Sequence, residues 1–266
     1  MQVLVTNDDG VLAPGILPLA RAVVVAGHDV VVAAPSDDRS GSGAALGRLH
    51  ADDTIDVGPV VLAGLEGVPC FSVEGTPALC VMAARLGGLG PVPDLVVAGI
   101  NPGPNTGRSV LHSGTVGAAL TAANFGISGL AVSMGVGDEY AWETAAELAI
   151  AALDWLVEQP AKTVVNLNVP NLALDEVRGV RWATLAPFGT VRAALVEAQG
   201  GGLQMELAVH AEQLPEGCDT ALVRAGFAAV TTLQGITAAP ETDVADAIEL
   251  TSLAPAARST LRGRSA

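Results

Sequence analysis

Three short polar stretches hold most of the residues whose types and spacing could do chemistry, and each follows an apolar run. Thr6-Asn7-Asp8-Asp9-Gly10 follows the run at 2–6. Pro35-Ser36-Asp37-Asp38-Arg39-Ser40-Gly41-Ser42-Gly43 follows the run at 29–34, and Asn101-Pro102-Gly103-Pro104-Asn105-Thr106-Gly107 follows the run at 94–100. Carboxylates, hydroxyls and carboxamides make an all-oxygen donor set, which favours Mg²⁺, Mn²⁺ or Ca²⁺ over zinc. The adjacent carboxylates Asp8 and Asp9 repel each other, and a cation relieves that repulsion. Taken alone, an Asp-Asp-Gly turn is more often a helix cap beside a solvated acid than a metal site. Its company changes the reading: besides the 101–107 stretch, Ser113-Gly114-Thr115 opens a helix. A helix start offers free N–H groups and a partial positive charge, so it seats anions. A cation site and an anion seat on one rim describe phosphoester chemistry.

The elements that must position these residues alternate between strand and helix. Residues 2–6 read as a strand, 15–26 as a helix stopped by Gly27, and 29–34 as a second strand. Thr76-Pro77 is an N-cap with proline at the first helical position, opening a helix to about Leu86. Strand 94–100 follows, then a helix from the Ser113 cap to Asn124 with Gly126 as its stop. Residues 129–134 read as a strand, 140–158 as an amphipathic helix and 163–169 as a strand ended by Pro170. Such alternation predicts an α/β fold: a three-layer, Rossmann-like, mostly parallel sheet with helices on both faces. Ligands of such sheets bind at the carboxyl ends of the strands, where the three polar stretches lie.

The pattern changes after Pro170. Residues 181–185, 190–198 and 203–210 read as strands, the last two joined across Gly200-Gly201-Gly202 as a β-hairpin. Residues 226–233 read as a returning strand and 241–250 as a short helix. The chain therefore divides into a metal- and phosphate-binding core at 1–175, a hairpin arm with its returning strand at 176–235, and a C-terminal helix and tail at 236–266. No internal repeat or low-complexity linker marks these divisions.

Composition narrows the partners. Half the residues are hydrophobic but only 3% are aromatic, so the core must be close-packed from Ala, Val, Leu and Ile. Such runs suit strands covered on both faces. The net charge of −15 and a single lysine, Lys162, leave no clustered basic surface for a nucleic-acid duplex. Cys70, Cys80 and Cys218 form no C-x-x-C pair and are odd in number, as in a reduced compartment. No signal-peptide pattern opens the chain and no uncharged apolar run is long enough to span a bilayer, so the expected setting is the cytoplasm, with no membrane partner.

Taken in order, the motifs resemble the SurE family of 5′/3′-nucleotidases, also called survival proteins or stationary-phase phosphatases. The resemblance rests on Thr6–Gly10 with Ala13-Pro14-Gly15-Ile16, on Ala34-Pro35 leading to Arg39-Ser40-Gly41, and on Glu74-Gly75-Thr76-Pro77-Ala78. It rests equally on Gly99–Asn105 and on Ser113-Gly114-Thr115-Val116, with weaker echoes in Asn166-Leu167-Asn168-Val169-Pro170 and in 226–233. It implies one divalent cation per subunit on Asp8, Asp9, Ser40 and Asn101, with the phosphoryl group near Asn101, Ser113, Gly114 and Thr115. Asp8 and Asn101 then carry the catalysis. A nucleoside monophosphate or other small phosphomonoester is the implied substrate, and a hairpin exchanged between subunits implies a homodimer or homotetramer. Two stretches depart from the family pattern. Leu79 replaces an acidic residue, and Ala183–Gly189 replaces the usual Thr-Arg and Gly-Arg pattern.

Other readings meet obstacles. A haloacid-dehalogenase-type phosphatase needs a nucleophilic aspartate where Asn7 stands, and a carboxamide cannot form the acyl phosphate. A signalling receiver domain needs a lysine at the carboxyl edge, whereas Lys162 precedes its strand. A relative that binds nucleotide or metal without turnover stays open as the alternative. None of the four histidines is an obvious general base: His112, beside the anion seat, comes nearest, and simple packing accounts for it equally. A water activated by the cation is therefore the expected nucleophile. Asp37 and Asp38 read as exposed loop acids.

Overall fold

The computed structural model describes residues 1–47, 49–50, 53–187, 191–197, 203–209, 214–238 and 240. Residues Met1–Gly235 form one compact unit, and Ile236–Ala266 a second. The expected helix at 241–250 lies outside the described residues.

The strands are β1 (Gln2–Thr6), β2 (Asp29–Pro35), β3 (Val57–Pro59), β4 (Cys70–Val73), β5 (Leu95–Pro102), β6 (Ser128–Met134), β7 (Val164–Val169), β8 (Val180–Trp182), β9 (Val191–Glu197), β10 (Leu203–Val209) and β11 (Ala228–Leu233). The helices are α1 (Ile16–Val25), α2 (Pro77–Arg85), α3 (Gly114–Asn124), α4 (Trp142–Val157) and α5 (Asp219–Arg224). Nine strands form one sheet in the order β3-β4-β2-β1-β5-β6-β7-β11-β8. Its central pairs, from β4 through β7, are parallel, while β3 and β11 each run antiparallel to a neighbour.

Alternate residues of the strands feed two faces. Val3, Val5, Val97, Val132 and Leu167 pack with α1 and α4; Leu4, Val31, Val96 and Ala98 pack with α2 and α3. This is the three-layer α/β arrangement expected from the alternating pattern. Each such Val or Leu side chain, when fully buried, contributes roughly 1.5–3 kcal/mol. Local signals set the helix starts: the Thr76 hydroxyl accepts from the Leu79 amide, and the Ser113 hydroxyl accepts from the Val116 amide. The chain leaves β1 toward β2 and later returns to its other side as β5. The topological switch point, where such sheets bind ligands, therefore lies between β1 and β5.

Three elements were not foreseen: β3, β4 and α5. They are three, four and six residues long, too short for periodicity to register. β3 is an exposed edge strand containing Gly58 and Pro59, which only an edge tolerates. The expected strand at 181–185 shrinks to β8 because it too is an edge, and Thr184 adds an isolated bridge to Cys218. β9 and β10 pair antiparallel as a separate two-stranded sheet, with Leu195 opposite Met205. Their glycine-rich connection lies outside the described residues.

Candidate active site

The rim is built first by the turn after β1. The Asn7 carboxamide donates to the Gly10 carbonyl at 2.9 Å and accepts from the Gly10 amide at 3.2 Å, closing a turn that presents Asp8 and Asp9. Gly10 has φ +105°, a conformation that side-chain-bearing residues avoid. The loop after β2 is sewn onto this turn: the Arg39 amide donates to the Asp8 carbonyl at 2.7 Å. Farther along, the Gly43 amide donates to the carbonyl of His112, a residue that is itself exposed.

Asp8 is buried against the start of α3. The Gly114 amide donates to Asp8 Oδ2 at 3.1 Å, and the Thr115 hydroxyl donates to Asp8 Oδ1. A side chain at position 114 would need a Cβ 2.7 Å from Asp8 Cβ and 2.8 Å from Ser42 Oγ, so only glycine allows this approach. The anion held by this helix start is thus the protein's own carboxylate. The Ser113 hydroxyl caps the helix, and Thr115 Oγ1 lies 3.5 Å from Asn101 Oδ1. Asn101 donates from Nδ2 to the Gly103 carbonyl at 2.6 Å, which leaves its oxygen on the Thr115 side. Asp8, Asn101, Gly114 and Thr115 therefore converge.

Asp9 stands beside them, half-buried. Its Oδ2 has no hydrogen-bond partner among the described residues. Burial pushes its pKa up to about 7, with Asp8 and then Asp38 adding like-charge repulsion. Ser40 is exposed and faces Asp38: its amide donates to that carboxylate at 2.7 Å. The Ser40 hydroxyl holds it as well, keeping the Asp38 pKa low. Asp37 and Asp38 are exposed as expected, but Asp38 is near enough to Asp9 to act on its charge. Arg39 does not relieve the acids, because it pairs with Asp37 at 2.9 Å and Glu74 at 2.7 Å.

These observations fit a bound hard cation. A buried carboxylate oxygen without a donor, in a group raised by burial and then by neighbouring acids, lacks the opposite charge that would satisfy it. Among the described residues no three His, Cys, Asp or Glu side chains form a metal-binding group. A cation at this place would need oxygens besides carboxylates: Asn101 Oδ1 lies at the cluster, whereas the exposed Ser40 hydroxyl is turned to Asp38.

Sequence reasoning gave no role to several supports of this rim. Asn166 and Asn168, both fully buried on β7, donate to the Asn105 carbonyl at 2.9 and 3.0 Å. Asn105 in turn donates to Ser133 on β6 at 2.9 Å. Ser42 brings to the α3 start a buried hydroxyl without a partner among the described residues. Two carboxamides at alternate positions of an apolar strand were the available signal, since buried polar groups are held for a partner. Leu79, at the departure from the family pattern, is buried on the first turn of α2 and fills the space over Gly75.

The sequence profile of the family described as Survival protein SurE matches residues 3–190. A protein of Xanthomonas axonopodis pv. citri, named 5′-nucleotidase SurE, is 43% identical over 183 residues, 67% of each chain. Its namesake from Xanthomonas campestris pv. campestris (strain B100) is 44% identical over the same share. The crystal structure of the SurE protein from Aquifex aeolicus superposes with a TM-score of 0.73 at 29% identity, covering 94% of this chain and 99% of that one. In profile, in sequence and in fold alike, the chain belongs to the SurE family.

Proposed function

We propose that this chain is a metal-dependent phosphomonoesterase that hydrolyses nucleoside 5′- or 3′-monophosphates to nucleoside and phosphate. One divalent cation per subunit, Mg²⁺, Mn²⁺ or Ca²⁺, is held by Asp8, Asp9, Ser40 and Asn101. The observation that carries the reading is the charge-crowded Asp9 carboxylate, its Oδ2 without a partner among the described residues, beside the Asp8–Thr115–Asn101 cluster. The relatives named 5′-nucleotidase support the substrate class.

When bound, a divalent cation supplies Lewis-acid chemistry, offsetting phosphoryl charge and making water more acidic. The chain's own residues do the rest. Thr115 and Gly114 fix the Asp8 carboxylate, so it need not reorganise when charge arrives. The Gly103 carbonyl holds the Asn101 amide so that its oxygen stays turned inward. We assign the phosphoryl group to the rim between Asn101 and Ser113-Gly114-Thr115. With its pKa raised to about 7, Asp9 without a cation is only partly ionised at neutral pH, so cation binding releases protons from it. The reaction consumes one water, breaks the ester P–O bond and leaves a proton on the alcohol oxygen.

The proposal extends to assembly and setting. The β9–β10 hairpin is a separate sheet, and a two-stranded hairpin is marginal alone in water, which supports docking on another subunit of a homodimer or homotetramer. Three free, buried cysteines support a reducing cytoplasm, and no described helix is long and apolar enough to cross a membrane. Phosphate release from purified protein, measured on paired 5′- and 3′-monophosphates and on a simple aryl phosphate, tests the function. Hydrolysis of nucleotides well above the aryl ester is expected. Binding of nucleotide without phosphate release would make the protein a binder instead.

A further inference from the structure

The loop that carries Asn101 into the site is tied at its far end by a side chain beyond the stretch matched by the family profile. Asp219, the first residue of α5, is fully buried. One carboxylate oxygen accepts from the Gly107 amide at 2.7 Å. The other accepts from the Ala186 and Thr220 amides at 2.9 and 2.7 Å. The Thr220 hydroxyl adds a second tie, donating to the Thr106 hydroxyl at 2.9 Å. No described cationic side chain pairs with Asp219. Burying a carboxylate without a countercharge is expensive, and these N–H groups are what offsets it.

Gly107 opens the 3-10 turn Gly107–His112, which runs directly into Ser113, Gly114 and Thr115. Asn101 lies on one side of this anchor and the donors to Asp8 lie on the other. A shift of Gly107 therefore disturbs both halves of the cluster. The Asn105 carbonyl, held by Asn166 and Asn168, is a separate tie two residues away. We infer that Asp219 is a positioning residue: through Gly107 it sets the distance between Asn101 and the Gly114–Thr115 start of α3. Its effect on rate rests on the phosphomonoesterase reading above, whereas its anchoring of the loop does not. Ala186, five residues before β9, shares the same carboxylate, so the root of the hairpin and the site loop have a common anchor.

Asp219→Asn tests this with almost no change of shape. If the amide oxygen keeps the Ala186 and Thr220 amides, the new NH₂ faces the Gly107 N–H, donor against donor, and the loop bond is lost. Hydrogen–deuterium exchange of the metal-free protein should rise about ten-fold or more across 103–115. With metal, kcat should fall about ten- to a hundred-fold while KM changes by less than about three-fold, the pattern of a lost transition-state arrangement. Leu153→Val, in α4 on the opposite face, is the control: it lowers Tm yet leaves kcat within about two-fold. If Asp219→Asn does not fold, Thr220→Val removes the milder tie and should shift both readouts the same way, about two- to five-fold. Unchanged exchange or an unchanged kcat overturns the inference. So does an equal loss of kcat in Leu153→Val, which would make the effect one of stability alone. Wild-type protein that releases no phosphate would overturn the proposed function, and the exchange arm would then decide the anchor by itself.

Discussion

The Thr115 hydroxyl, on the first turn of α3, donates to the Asp8 carboxylate in the turn after β1, across 107 residues of sequence. The same oxygen stands 3.5 Å from Asn101 Oδ1, so one buried hydroxyl sets the spacing between two of the proposed cation ligands. The helix start stabilises a protein carboxylate through its partial positive charge and the Gly114 amide.

Thr115→Val keeps the shape and removes that donor. A hydrogen bond to a charged group contributes about 1.5–3 kcal/mol, so activity at saturating metal should fall about ten- to a hundred-fold. Because the partner is Asp8, the variant should also bind Mn²⁺ more weakly by calorimetry. Normal turnover together with normal metal affinity would remove Thr115 from the site.

How much of this was legible in the sequence depends on how local the cause was. β1, β2, β5–β7 and α1–α4 were readable because their apolar runs, Thr76 and Ser113 caps and glycine stops act within a few residues. The rim was readable because parallel strands send their carboxyl ends to one edge. What Thr115 does with its hydroxyl was not, since its partner is set by the β1–α3 packing. Asp219 was hidden for the same reason. Nothing in Cys218-Asp219-Thr220 singles it out in the sequence, and only the fold brings Gly107 to it. The antiparallel pairing of β11 with β7 likewise follows from where the chain returns after the hairpin.

Asp9 gives the metal-free protein a characteristic pH dependence. Its pKa rises from 3.8 to about 7 on folding. Below pH 4 it is protonated in both states, and its contribution to stability is fully present. That contribution is lost as pH rises through 7, because the folded state must then hold an uncompensated charge. The Tm difference between wild type and Asp9→Asn should therefore move against the wild type between pH 4 and pH 8. Added Mg²⁺ or Mn²⁺ should close the gap at pH 8 far more than at pH 5. Parallel Tm profiles with and without metal would show that Asp9 is not charge-starved.

The hairpin makes a prediction about assembly. Light scattering should give a dimer or larger species, and deletion of residues 190–210 should give a monomer that still melts cooperatively. A full-length chain that stays monomeric at high micromolar concentration would contradict docking of the hairpin on a second subunit.

The central claim, that Asp8 and Asp9 bind a cation needed for phosphoester hydrolysis, is tested most directly by removing and restoring the metal. Protein dialysed against chelator should release no phosphate from nucleoside monophosphates, and Mn²⁺ or Mg²⁺ should restore the release. Asp8→Asn and Asp9→Asn should stay inactive at metal concentrations that saturate the wild type, while Asp37→Asn should be restored like the wild type. Full activity in protein that elemental analysis shows to be metal-free would contradict the account.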